Sequence, residues 1–178
     1  ERTPENMKKA RSQGIPAVGE GSVYKLDISE IVCEPLEIPA HYKRMYAMDP
    51  GWNCTAALFM AIDPETDTAY IYAEYIGNQK EPTINADRIR SLNKGWIPGV
   101  VDPAGHVRTQ DAGKKLITMY RALGLKLKEA RNDVEIGIDM VYDRLSTGRL
   151  KIFRNLYDFR KEYAVYRRIN GHIVKEDD

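Results

Sequence analysis

From residue 43 the chain presents three strand-like runs in succession, 43–49, 55–62 and 68–76, and then changes period, alternating helices with short apolar strands. That order limits the fold more than any single residue does. Turn chemistry at Asp63-Pro64-Glu65-Thr66-Asp67 makes the second and third runs an antiparallel hairpin, with Ala69, Ile71, Ala73 and Tyr75 expected on one face. A helix over 83–93, stopped at Gly95, leads to a strand over 96–101. A helix over 110–123 aligns Leu116, Tyr120 and Leu123 and ends at Gly124, and residues 125–130 alternate as a further strand. Asn132 with Glu135 reads as a capping box, opening a helix with the stripe Val134, Ile138, Val141 and Leu145. An extended piece at 150–153, a helix over about 156–168 carrying Phe159, Tyr163 and Tyr166, a turn at Asn170-Gly171 and a last extended piece at 172–174 follow. Helical crossovers require parallel strands and the opening hairpins antiparallel ones. The expected fold is therefore α/β, a mixed sheet of about five strands with helices on both faces.

Two strand ends carry an acid followed at once by proline: Asp49 in MYAMDPGW and Asp102 in WIPGVVDPA. A carboxylate at a strand end is held by a rigid scaffold yet open to water, so it can hold a cation without full desolvation. If a right-handed crossover lays the fourth strand beside the first, the two acids become neighbours at one rim. Clustered carboxylates repel unless a cation neutralises them, and Mg²⁺ or Mn²⁺, bound by acidic oxygens with positions left for water and phosphate, suits such a patch. Asp177 and Asp178 offer a third acid. A pair of such ions hydrolyses phosphodiesters. Asp-Pro is also an ordinary way to end a strand, which is the competing reading of each acid alone. Asp63, Asp67, Asp111, Asp139 and Asp143 fall on turns or polar helix faces and read as solvated.

At 178 residues and 43% hydrophobic the chain suits one well-buried domain, with residues 1–42 a Pro/Gly-punctuated lead-in and 43–178 the domain proper. With 27 basic against 26 acidic residues, any nucleic-acid surface must come from local clustering. Arg108, Lys114 and Lys115 after Asp102, and Arg167 and Arg168 before the terminal acids, are the nearest candidates for phosphate contacts. His106 reads as an exposed loop residue, His41 and His172 have no evident partners, and Tyr163 and Tyr166 read as core. Two cysteines, Cys33 and Cys54, fit neither a zinc site nor a disulfide framework and suggest a reducing setting. The chain has no P-loop motif, no apolar run long enough for a membrane helix and no signal-peptide pattern at its start.

Taken together and in order, MYAMDPGWN, GVVDPAGHVRTQDAGKKLITMYRALGLKL, ARNDVEIGIDMVYDRLSTGRLKIF, EYAVYR and the final KEDD resemble the C-terminal nuclease domain of tailed-phage or prophage terminase large subunits. The lead-in GEGSVYKLDISEIVCEPLEIPAHYKR is similar to the segment joining that domain to a packaging ATPase. The resemblance implies a ribonuclease-H-like fold and metal-dependent cleavage of concatemeric double-stranded DNA during genome packaging, with two Mg²⁺ or Mn²⁺ ions. It matches Asp49 to the acid of the first strand, Asp102 to that of the fourth and Asp178 to the third, with Asp177 as substitute; the helix that the family's third acid opens has no counterpart here. Its implied partners are double-stranded DNA, the ATPase domain, a portal and a small terminase subunit, with no membrane. The implied setting is the host cytoplasm, transiently at the procapsid. The rival readings are a Holliday-junction resolvase or transposase-like nuclease, and an inactive nuclease-like docking module.

Overall fold

Burial alternates along Lys43–Asp49 and Cys54–Ile62, the pattern of strands inside a sheet whose two faces meet different surroundings. The computed structural model describes residues 21–102, 110–131, 133–169 and 172–174. Its elements in order are α1 (Ile28–Ile31), β1 (Val32–Cys33), β2 (Lys43–Asp49), β3 (Cys54–Ile62), β4 (Ala69–Asn78), α2 (Pro82–Asn93), β5 (Gly99–Val101), α3 (Gln110–Ala122), β6 (Leu127–Glu129), α4 (Val134–Ser146), β7 (Leu150–Phe153), α5 (Tyr157–Val165), β8 (Arg167–Ile169) and β9 (His172–Val174). Seven strands form one sheet in the order β1-β7-β4-β3-β2-β5-β6, and β8 and β9 make a separate ribbon. The pairs β2–β3 and β3–β4 are antiparallel, whereas β2–β5, β5–β6, β4–β7 and β1–β7 are parallel. The run β4-β3-β2-β5-β6 is the mixed five-stranded arrangement of the ribonuclease-H-like fold, and β7 and β1 extend it at one edge.

The sheet separates two cores. On one face Tyr46, Met48, Ala57, Phe59 and Val101 pack against Ala86 and Ile89 of α2 and Leu116, Ile117 and Tyr120 of α3. On the other, Ala69, Ile71, Ile152 and Phe153 pack with Leu145 of α4, Leu156 and Ile31, against which Leu58, Met60, Phe159 and Tyr163 rest. Burying a side chain such as Phe59 contributes about 1.5–3 kcal/mol, so each core holds its helices by many such increments.

Four local features depart from the sequence reading. The register of β3 against β4 shifts between Phe59 and Met60, so Tyr72 is an extra residue; Ala73 and Tyr75 face the first core while Ala69 and Ile71 face the second. The last helix ends at Val165, because Tyr166 turns extended and Arg167–Ile169 joins the ribbon and bridges to Ser22 of the lead-in. Asp133, whose Oδ1 accepts from the Ile136 N–H at 3.2 Å, caps α4, and the sequence-expected cap Asn132 lies outside the described residues. Val134, assigned to the stripe of that helix, is 53% exposed. The N-terminus of α5 has no cap of its own; the Glu74 carboxylate on β4 accepts from the N–H groups of Asp158 and Phe159 at 3.1 and 2.8 Å.

Candidate functional site

The register of β2 on β5 runs Tyr46↔Gly99, Ala47↔Val100 and Met48↔Val101, so Asp49 and Asp102 are the next residue of each strand. The strand axes lie about 4.8 Å apart. Asp49 is exposed and Asp102 half-buried. Tyr46 and Met48 point into the first core, which turns Ala47 and Asp49 to the opposite face. There Asp49 and Asp102 line a cavity of about 300 Å³ with Ala47, Ala56, Leu58, Val100 and Ala130. Its position at the carboxyl ends of parallel strands is where open α/β sheets take ligands. Sequence and topology thus agree on bringing the two acids together.

The turn after Asp49 is pinned from below. Pro50 is fully buried, and a side chain at Gly51 would collide with the carbonyl of Cys54. Thr55 Oγ1, itself 0% exposed, donates to the Gly51 carbonyl at 3.0 Å and lies 3.0 Å from the Tyr120 hydroxyl. Asn85 Nδ2 donates to that same hydroxyl at 3.0 Å, while Asn85 Oδ1 accepts from Tyr75 at 2.7 Å. A buried polar chain therefore ties the acid-bearing turn to β4, α2 and α3. No sequence spacing announced it, because its members are 10 to 65 residues apart. Trp52 stands 47% exposed on this braced turn. Tyr120→Phe removes the central hydroxyl and is expected to cost about 1–3 kcal/mol. That lowers Tm by roughly 2–12 °C in a calorimetric scan, and an unchanged Tm would show the polar chain to be dispensable.

The other candidates fall elsewhere. Arg108, His106, Asp177 and Asp178 lie outside the described residues, as does the side chain of Lys114. Lys115 is exposed on α3, in the layer behind the sheet from the cavity. Arg167 and Arg168 sit on β8, where the Arg168 guanidinium makes two hydrogen bonds, 3.1 and 2.5 Å, to the Glu135 carboxylate at the start of α4. That pairing holds the Glu135 carboxyl below its ordinary range. Asp67 is engaged by Arg144 and Arg149, and Asp143 by Arg149. Asp63, read as solvated, is 9% exposed, and the N–H of Glu65 and the hydroxyl of Thr66 on its carboxylate keep its pKa low. Among the described residues no group of three His, Cys, Asp or Glu side chains could hold a metal ion. The oxygen-only pair Asp49 and Asp102, at an open cavity, nonetheless has the donor chemistry that Mg²⁺ or Mn²⁺ accepts.

No protein-family model matches the chain. The terminase large subunits of Enterobacteria phage LP7 and Salmonella phage P22 are each 30% identical to it over 187 aligned residues, covering 98% of the chain. The chain spans 38% and 37% of those proteins. Among solved structures, the P22 large terminase nuclease domain superposes with a TM-score of 0.77 at 28% identity, covering 89% of this chain and 86% of that one. The large terminase nuclease of thermophilic phage G20c with bound magnesium shares the fold at a TM-score of 0.63 and 17% identity, covering 88% and 87%.

Proposed function

Because the chain belongs with the terminase large subunits and has the fold of their nuclease domain, we propose that it is a metal-dependent endonuclease that cuts concatemeric double-stranded DNA during viral genome packaging. The observation that carries this reading is the placing of Asp49 and Asp102 side by side at the rim of an open cavity. Asp49 and Asp102 would hold the ions, with Asp178, or Asp177 in its place, as the third acid. When bound, two Mg²⁺ or Mn²⁺ ions supply activation of a water and stabilisation of the leaving oxygen. The chain's own share is geometric. Adjacent strands fix the spacing of the carboxylates, and the braced Pro50-Gly51 turn keeps Asp49 from swinging away. The apolar floor of Ala47, Ala56 and Leu58 raises the strength of every charge interaction above it.

In the longer protein, an ATPase domain, a portal and a small terminase subunit are the partners this reading assigns, in the host cytoplasm and at the procapsid. Incubation of the purified chain with supercoiled plasmid tests the nuclease itself. Nicked and linear products with Mg²⁺ or Mn²⁺, and none with EDTA, are expected. Intact plasmid under all metal conditions would overturn the proposal, and cleavage confined to four-way junctions would redirect it to a resolvase.

A further inference from the structure

Beside the acid pair, the sheet ends in an edge strand with an uneven distribution of charge. Leu125 and Leu127 are buried in the core formed with α3, and Glu129 pairs with Arg121 of that helix at 3.4 Å. The odd-numbered side chains of this segment therefore face α3. The even-numbered ones, Lys126, Lys128 and Ala130, face the other way, and Ala130 lines the cavity that holds Asp49 and Asp102. The Ala130 N–H donates to the Val101 carbonyl at 2.9 Å, which fixes this end of the strand one residue from Asp102. Lys128 and Lys126 thus follow from the cavity at about 7 and 13 Å along the strand. Both are exposed, and neither has an ion-pair partner among the described residues. On the opposite wall these strand pairs bring no cation: Ala56 pairs with Ile76, and Leu58 with Glu74, whose carboxylate accepts from the N–H groups at the start of α5.

We propose that Lys126 and Lys128 form a phosphate track along β6, along which one strand of DNA runs out of the Asp49–Asp102 cavity. The proposal rests on the nuclease reading and adds the direction of the substrate. Lysine on an edge strand also discourages edge-to-edge pairing of sheets. That role needs charge at the edge but not alignment with the cavity, and here both lysines share the face of Ala130 and the acid pair. Spaced ammonium groups hold phosphates without reading sequence, as suits DNA cut within a long concatemer. The carboxylates repel the backbone on approach, and positive charge to one side biases which way the strand lies.

The test uses Lys126→Gln/Lys128→Gln, an arginine pair at the same positions, and a matched control, Lys25→Gln/Lys161→Gln, which removes equal charge from exposed sites on the lead-in and α5. Binding of a mixed-sequence duplex is followed by fluorescence anisotropy in Ca²⁺ between about 50 and 200 mM salt. Plasmid cleavage in Mg²⁺ is measured alongside. Because the glutamine pair leaves two phosphates without a neutralising ammonium, the slope of log K against log salt becomes shallower by about 1.8, and affinity falls on the order of tenfold. KM for cleavage should rise with little change in kcat. The arginine pair should restore binding, and the control should match the parent. If the parent cleaves and the glutamine pair keeps its slope and KM, the track is overturned and the nuclease reading stands. If the parent binds but never cleaves, and the slope still falls, the track stands and the nuclease reading fails. A parent that does not bind DNA overturns both.

Discussion

Asp49→Ala and Asp102→Asn proteins are expected to fold, to bind duplex DNA and to cleave it at least about a hundredfold more slowly than the parent chain, whether the metal is Mg²⁺ or Mn²⁺. The reason lies in where the two carboxylates stand. A strand needs no acid after its last ladder pair, and two acids side by side oppose folding by mutual repulsion unless a cation offsets it. Removing one at an exposed rim should shift Tm by no more than about 2–4 °C, upward if repulsion dominates in the metal-free protein. Added Mg²⁺ should raise Tm of the parent and not of either variant, because a ligand stabilises only the state that binds it. Parent-level cleavage by purified Asp49→Ala would remove the cavity from consideration as the active site. The same assay on Asp178→Ala and Asp177→Ala identifies which terminal acid completes the set: the one whose loss matches Asp49→Ala.

The acid pair was legible because it depends on coarse features. A change of hydrophobic period placed β2 and β5, a crossover helix forced them parallel, and proline marked the end of each, so the neighbourhood of Asp49 and Asp102 needed no knowledge of any side-chain packing. What escaped depends on single residues or on distant ones. The extra residue Tyr72 moves Ala69 and Ile71 to the face opposite Ala73, yet an alternating apolar run looks the same with or without a bulge. The parallel pairing of Val32 with Ile152 rests on two residues, too few to show a period. Arg167 and Arg168 continue the helical pattern of α5 in sequence, and it is the lead-in backbone, through Gly21 and Val23, together with β9 that holds the segment after Val165 in extended structure. The lysines of β6 were visible as alternation, but which face they occupy is decided by the burial of Leu125 and Leu127 against α3, beside which Glu129 meets Arg121, and that packing exists only once α3 has docked.

Gly99→Val is expected to destabilise the fold by about 3 kcal/mol or more, a fall in Tm of roughly 6–12 °C, and to depress cleavage beyond what the lost stability explains. Intrinsic preference points the other way. Valine suits a strand better than glycine, a difference of up to about 1 kcal/mol on a host scale, and glycine in the unfolded chain is the more flexible of the two. Packing decides the sign. Gly99 is the direct partner of Tyr46 across the β2–β5 ladder, and a Cβ there would fall 2.6 Å from Cε2 and 2.7 Å from the hydroxyl of that ring. The ring has nowhere to go: Tyr46 is 0% exposed and stacks on Phe59 at 5.2 Å. Either Tyr46 leaves its rotamer or β5 retreats, and a retreat strains the Tyr46 N–H to Pro98 carbonyl bond of 3.0 Å and the Gly99 N–H to Lys126 carbonyl bond of 2.9 Å. Asp102 lies three residues along the same short strand, so the displacement carries it away from Asp49, and Lys128 moves with it through the β5–β6 pairing. Pairing Gly99→Val with Tyr46→Leu separates the two causes. Recovery of cleavage in the double variant, with a coupling energy of about 0.5–3 kcal/mol, would place the fault in the ring contact. A single Gly99→Val protein that melts higher than its parent would show that strand propensity outweighs the clash, and that the spacing of the acid pair does not depend on this glycine.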